Sequence, residues 1–290
     1  MMSSPFLRAA SRSLPFVSVV FLALACAACG EAPPPAAAAD PPTAIPRITD
    51  RVEAAGASDV AVAVRYPAMR NELAPLDRAM HAYADAQRAA LATRIKETKD
   101  ASERSEKPGR LDLDFVIAAQ TEDFVSALAQ GEADFGGAHP QPLRATFTQH
   151  LATGDIVTLR ELFNDVDAAL ATFSAEARRR LGADFEARVR AENLSDKLLA
   201  ERLKAMHEML EAGTAPQAEN FAAFLVDGVD GKAIGITLIF APGQVASYVE
   251  GAQQVAVPAR VFFGQLKARY RDAFAVDKAD LEAASKPSQL

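Results

Sequence analysis

Two histidines and nearby carboxylates in the middle of the chain are the residues whose types could do chemistry. His139 lies in the segment "GGAHP", a few residues after Glu132 and Asp134, and His150 follows later. A metal centre or an acid–base pair would need such groups on one face at short spacing, but neither H-x-H nor H-E-x-x-H occurs. Because Pro140 biases His139 toward an extended backbone, we favour a histidine that caps backbone groups of a tight turn. We predict no metal site.

Other catalytic patterns are also missing from the sequence. It contains no G-x-S-x-G nucleophile elbow, no phosphate-binding glycine loop and no Ser/Lys pair. Glu122 and Asp123 are adjacent, so they would point to opposite sides of a strand. We therefore predict no catalytic residue and no cofactor. Glycosidase-type carboxylates leave no local signature, so an enzyme or accessory acting on peptidoglycan remains the alternative.

Binding is the function that the remaining candidate residues favour. The segment "APGQVASYVEG" (Ala241 to Gly251) is non-periodic and lies between two predicted strands, where binding residues are often found. The candidate binding residues are Pro242, Gly243, Gln244 and Tyr248 of this loop, together with Gly136, Gly137 and His139 of the "GGAHP" turn. The structural alternative is a crossover in which Val245 and Tyr248 cover the edge of a sheet.

The N-terminus predicts export from the cytoplasm. Arg8 and Arg12 precede the apolar run "LPFVSVVFLALA", which is too short for a spanning helix but suits a signal peptide. The run ends in "CAACG", which holds both cysteines of the chain, and small residues before a cysteine resemble a bacterial lipobox. We predict a lipoprotein signal peptide at residues 1–29, with Cys29 favoured over Cys26 for lipidation. An ordinary cleaved signal peptide is the alternative.

The charge balance restricts the class of partner. Lys and Arg number 31 against 38 Asp and Glu, and removing the predicted signal would leave 29 against 38. An acidic protein lacks the basic surface that nucleic acid requires, and it favours basic partners. No cysteine remains for a disulfide after the signal, so the exported fold depends on its hydrophobic core.

The first part of the mature chain predicts strands around one long helix. A Pro/Ala-rich tether occupies residues 30–47, and "DVAVAVRYP" alternates as a strand ended by Pro67. Helical spacing runs from Asn71 to about Lys99, and strands follow in "LDLDFVI" and from Phe124 to Gly131. The next strand, "LRATFTQHL", has two predicted faces. The inward residues are Leu143, Ala145, Phe147 and Leu151, and the outward residues are Arg144, Thr146, Thr148 and His150.

The later part predicts helices followed by a hairpin. Thr158 and Glu161 form a capping box before a helical pattern that breaks near Gly182 and Asn193 and stops at Gly213. Asp230-Gly231 predicts a tight hairpin turn, a short strand "QQVAVP" follows, and Pro258 opens a final helix. Strands cluster in runs rather than alternating with helices, so the predicted class is α+β, with a mainly antiparallel sheet packed by long helices.

Four segments, in order, carry a resemblance to a known family: the "YP" strand before the helix, "GGAHP", "HLATGDIVTLRELF" and "PGQVASYVEGAQQVAVP". Over about residues 60–274 the chain resembles the extracellular region of RsiV-type, lysozyme-sensing anti-sigma factors. The same region occurs as the non-catalytic N-terminal part of PdaC-type peptidoglycan deacetylases. The resemblance implies two intertwined halves, here residues 48–135 and 136–275, followed by a polar tail at 276–290. Pro242-Gly243 replaces the Pro-Tyr of the family, which puts an aromatic partner contact there in doubt.

The resemblance also implies a function. No cytoplasmic segment that could hold a sigma factor precedes the apolar run, and no residues after Leu290 supply a deacetylase domain. We therefore expect a lipid-anchored binding or sensing module in the bacterial cell envelope, facing the periplasm or the exterior, with the outer membrane favoured over the inner. The expected partner is a basic muramidase of the lysozyme type or a peptidoglycan component, with membrane contact through the lipid.

Overall fold

The computed structural model describes residues 47–50, 60–100, 109–136 and 139–276. The predicted signal peptide, both cysteines, nearly all of the Pro/Ala tether and residues 277–290 of the predicted tail lie outside this part of the chain. Among the described residues, no helix has the length and apolar character needed to cross a membrane.

A six-stranded sheet forms the first layer, in the spatial order β1-β2-β3-β4-β5-β6. Its strands are β1 (Arg47–Asp50), β2 (Val60–Pro67), β3 (Gly109–Gln120), β4 (Phe124–Asp134), β5 (Gln141–His150) and β6 (Ile156–Val157). β2 and β3 pair in parallel, and the other neighbours pair antiparallel. The chain segment between the two parallel strands contains helix α1 (Ala74–Asp100).

Helix α1 covers one face of this sheet. The alternating residues Leu111, Leu113 and Phe115 of β3 are fully buried in the same cluster as Leu76 and Met80 of α1. A side chain of β5 also holds the start of the helix. Gln149 accepts a hydrogen bond from the Leu76 amide at 3.0 Å and donates one to the Glu72 carbonyl at 2.9 Å.

The rest of the chain builds a second layer of helices and a three-stranded sheet. The helices are α2 (Leu159–Leu162), α3 (Val166–Ala191), α4 (Asp196–Gly213), α5 (Ala259–Phe262) and α6 (Ala268–Arg271). The strands are β7 (Phe224–Val229), β8 (Lys232–Phe240) and β9 (Gln253–Pro258), antiparallel in that order. Their core is rich in phenylalanine, with Phe173, Phe221, Phe240 and Phe262 at 1% exposure or less. The predicted α+β class is confirmed.

The two sheets meet where the edge strand β7 lies on the second face of the larger sheet. The amide of Phe224 donates to Thr146 Oγ1 at 2.8 Å, and the amide of Val226 donates to Ser126 Oγ at 3.1 Å. Ser126 and Thr148 are themselves hydrogen bonded at 2.8 Å. Side-chain hydroxyls thus satisfy edge amides that would otherwise be buried without partners.

This contact corrects the predicted outward face of β5. Thr148 and His150 are buried, at 1% and 7% exposure, rather than facing solvent. The ring of His150 lies 5.2 Å from those of Phe124 and Tyr270. The alternation of β5 was predicted correctly, but the face expected to be in water is covered there by the second layer.

The helix boundaries differ from the prediction at three points. The capping box is present, with Glu161 accepting from the Thr158 amide at 2.7 Å, but α2 is only four residues long. Gly182 does not break α3, because it lies buried in the helix against Leu210 of α4. The second predicted break is present, because α3 ends at Ala191 and the chain turns at Asn193, where φ is 50°. Pro258 precedes only the short α5 rather than a long final helix.

The sheet order also bears on the predicted halves. A division between residues 135 and 136 separates β4 from β5, which pair along their whole length. β6 belongs to the same sheet, so the first layer continues to Val157. The described residues all fall in one compact unit.

Candidate functional site

The loop between β8 and β9 is fixed to the second layer by its first residues. Gly243 adopts a φ of 83°, which glycine tolerates without strain. The Gln244 amide group donates to the carbonyls of Gly213 and Asn220, at 3.1 and 3.0 Å, and its oxygen accepts from Ala241 at 3.1 Å. Gln244 therefore holds the loop in place, a role that its position in the sequence did not reveal.

The middle of the loop divides between buried and exposed residues. Val245 is fully buried, which supports the structural alternative for that residue. Tyr248 and Val249 are 54% and 90% exposed, on a short helical turn, Tyr248–Glu250. The structural alternative required Tyr248 to cover the sheet edge, and its high exposure does not support that role. Its ring instead lies beside Gly243, and Pro242 is partly exposed.

The same turn brings the two predicted binding segments together. The Tyr248 hydroxyl donates to the Pro140 carbonyl at 3.4 Å, a long hydrogen bond between residues 108 positions apart. Pro140 ends the segment that begins at Phe135, in which Gly136 adopts a φ of 81° and donates to Asp134 Oδ1 at 2.8 Å. His139 is exposed. Gly137 lies outside the described residues.

A cleft of about 300 Å³ opens on the other side of this turn, between α3, α4 and the loop. Its apolar lining consists of Phe185, Val189, Ala205, Met206, Met209, Ala246 and Val249. At the rim, Arg188 pairs with Asp184 at 2.6 Å and with Glu250 at 3.1 Å, and its guanidinium lies 4.8 Å from the centre of the Phe185 ring. We refer to Tyr248, Val249 and this cleft as the loop surface.

The residues considered for catalysis are not brought together. His150 ends β5, which is about 30 Å long at the usual strand rise, and His139 lies beyond the other end of that strand. Glu132 pairs with Arg110 at 3.1 Å, and Asp134 caps its own turn. In the described parts of the chain, no three His, Cys, Asp or Glu residues are grouped so as to hold a metal ion.

One carboxyl group has a strongly raised pKa that no pattern in the sequence predicted. Asp227 lies at a bulge in β7 and is largely buried. Burial raises its pKa to about 6, and a hydrogen bond from Thr237 Oγ1 at 2.6 Å opposes this shift. The raised pKa of Asp227 comes from its burial in the sheet. Within the described structure, none of the candidate binding residues forms a hydrogen bond with Asp227.

Comparison with known proteins gives relatives both in sequence and in structure. No protein-family model matches the chain. Over 211 residues it is 26% identical to the peptidoglycan-N-acetylmuramic acid deacetylase PdaC of Bacillus subtilis (strain 168), and the match covers 72% of this chain. The chain spans 40% of the length of that deacetylase.

The structural relatives are DUF3298 family proteins. The one from Pseudomonas aeruginosa PAO1 has a TM-score of 0.50 and 13% identity, covering 80% of this chain and 96% of that one. The one from Bacteroides fragilis NCTC 9343 has a TM-score of 0.45 and 14% identity, covering 73% and 85%. The predicted resemblance to the deacetylase is confirmed by the sequence match. The chain therefore shares a region with part of PdaC, and it shares its fold with the DUF3298 family protein of Pseudomonas aeruginosa.

Proposed function

We propose that this protein is a non-catalytic binding module of the bacterial cell envelope, which presents the loop surface to a partner. The observation that carries the proposal is the exposure of Tyr248 and Val249 on a loop whose base is held by Gln244. An exposed aromatic residue on a fixed loop is a common centre of binding energy, and little conformational entropy is lost when a fixed loop binds.

The proposed partner is a basic muramidase of the lysozyme type. The acidic balance of the chain, 31 basic against 38 acidic residues, supports association with a basic protein. The resemblance to lysozyme-sensing anti-sigma factors supports the same class of partner. Glycine at position 243 replaces the aromatic residue of that family, so Tyr248 becomes the principal aromatic contact.

Calorimetry with purified lysozymes at low and high salt tests this function. We expect binding that weakens as salt rises, and a Tyr248→Ala variant that binds at least about tenfold more weakly, as for an aromatic hot spot. Leu198→Ala is the matched control, because Leu198 is similarly exposed, at 53%, but lies on α4 outside the loop surface. Absence of heat with several lysozymes at low salt would exclude this partner.

A lipid anchor is part of the same proposal. The sequence "CAACG" supports lipidation of Cys29, or of Cys26, after export. Metabolic labelling with palmitate should mark the protein in the membrane fraction, and a Cys29→Ala variant should lose the label. If the Cys29→Ala variant keeps the label and loses it only when Cys26 is also replaced, the lipidated residue is Cys26. Unlabelled protein in the cytosol would contradict the anchor.

Peptidoglycan is the second candidate partner, and the match to part of a peptidoglycan deacetylase favours it. In this case the domain would hold the protein on the cell wall. Co-sedimentation with purified sacculi should retain the protein without any change in the sacculi. Release of acetate or of soluble sugar fragments would contradict the non-catalytic role.

A further inference from the structure

Arg144 differs from the other arginines in the part of the chain that the structure describes. Its side chain is partly buried, and yet, across the described residues, it makes no hydrogen bond and no ion pair. Among the other described arginines, Arg78, Arg160 and Arg260 have no such partner but are exposed to solvent. Arg269 is also exposed, and its guanidinium lies 4.7 Å from the centre of the Tyr270 ring. A cation that has lost part of its hydration and has gained no anion is unfavourable, so this position needs an explanation.

Arg144 belongs to a row of polar residues that crosses the larger sheet. The register of β2 to β5 aligns Arg65, Asp114, Gln130 and Arg144, so their side chains share one face. This is the face that β7 covers two residues further along β5, where Thr146 accepts from the Phe224 amide. Arg144 therefore lies at the border between the covered and the open parts of the face.

The acidic residues of the open part are bound to other arginines. Arg65 contacts Asp112 at 2.7 Å and Asp114 at 3.8 Å, and Arg110 contacts Glu132 at 3.1 Å. Asp114 is two strands away from Arg144, about 10 Å at the usual strand spacing. Burial lowers the pKa of the Arg144 guanidinium, as expected when no nearby carboxylate compensates for the lost hydration.

Gln130 is the direct neighbour of Arg144 on β4. Its side chain is partly exposed and makes no hydrogen bond to another described residue. A guanidinium offers a planar pair of N–H donors and an amide offers one more, an arrangement that fits the two oxygens of a carboxylate.

We propose that Arg144 and Gln130 form a binding site for the carboxylate of an acidic sugar. The choice of a sugar acid rests on the peptidoglycan-binding function proposed above, and the carboxylate meant is the one that a muramic residue exposes once its peptide has been removed; the site itself follows from the unpaired donors. The Tyr248 hydroxyl contacts Pro140, which precedes Arg144 by four residues and lies about 13 Å from it along an extended chain. We therefore expect a longer ligand to extend from Arg144 toward Tyr248.

The test is an NMR titration of the arginine side-chain N–H signals with N-acetylmuramic acid, using the full chain. N-acetylglucosamine, the same sugar ring without the carboxylate, is the matched ligand control, and inorganic phosphate tests for a general anion site. We expect saturable shifts with the acid sugar alone. Arg144→Ala should weaken binding about tenfold or more, while Arg78→Ala, which removes an exposed arginine on α1, should leave it unchanged.

Arg144→Lys covers the case in which the alanine variant fails to fold. Lysine keeps the charge but cannot form the bidentate pair, so binding should weaken without loss of the fold. Unchanged binding by a folded Arg144 variant, equal binding of the neutral sugar, or tighter binding of phosphate would each overturn the proposal. If sacculi whose peptides have been removed by an amidase retain the Arg144→Ala variant as well as the wild type, this site is rejected but the peptidoglycan function is kept. Binding of the acid sugar without sacculus retention would reject that function but keep the site.

Discussion

Asp227→Asn should stabilise the protein at neutral pH. The pKa of Asp227 rises from 3.8 to about 6 on folding because the carboxylate is buried. At 1.36 kcal/mol per pKa unit, ionising this group in the folded state costs about 3 kcal/mol. Asparagine carries no charge, fills a similar volume and keeps an oxygen that can accept from Thr237.

The sign of the pH dependence follows from the raised pKa. Below about pH 4 the wild-type carboxyl is protonated in both states, so the variant should gain little. Between about pH 4 and pH 6 the unfolded chain ionises before the folded one, and the wild type loses stability. Above about pH 6 the loss is complete, and the advantage of Asp227→Asn should reach a constant value of about 1–3 kcal/mol.

Urea unfolding of both proteins at pH 4, 5, 6 and 7 measures this difference. At neutral pH we also expect the melting temperature of the variant to rise by about 2–12 °C. Asp230→Asn is the control, because Asp230 lies in the same hairpin but is exposed. An advantage of the same size at every pH, or one that grows toward acid, would refute the assignment of the cost to a buried carboxylate.

Two further predictions concern contacts between distant parts of the chain. Ser126→Ala should lower the free energy of unfolding by about 1–3 kcal/mol, because the buried Val226 amide loses its acceptor; an unchanged urea midpoint would show that the edge amide has another partner. Gly213→Ala should cost about 1–3 kcal/mol and disturb the loop surface, because a Cβ there would clash with the carbonyl oxygen of Gln244. Gly264→Ala, where nothing lies within 4 Å of an added Cβ, should be neutral in the same unfolding assay.

Local patterns were predicted well from the sequence because their causes are local. The Asp230-Gly231 turn is present with φ angles of 49° and 85°, since a two-residue hairpin requires residues that tolerate positive φ. The alternation of Leu111, Leu113 and Phe115 places all three in the core as expected. Each of these features depends on residues within a few positions of one another.

The candidate site was predicted only in part. The loop and the "GGAHP" turn were chosen separately, and the contact between Tyr248 and Pro140 joins them across 108 positions. The sequence treated Gln244 as a candidate for binding, whereas its amide is used to hold the loop on α4. Arg144 was placed only as an outward residue, and its lack of a partner depends on which strands lie beside it.

The sequence by itself determined where strands, helices and turns form, because periodicity, capping residues and glycine act through short stretches of chain. The tertiary structure decided what covers each face. A period of two shows that Thr148 and His150 share a side of β5, but only the packing of the second layer on that side, including β7 and Tyr270 of α6, buries both of them. Arg144 lies on the same face, two residues before Thr146 and four before Thr148, at the border that β7 leaves open. Whether a polar side chain is solvated, buried or free to bind therefore depends on elements that are distant in the chain.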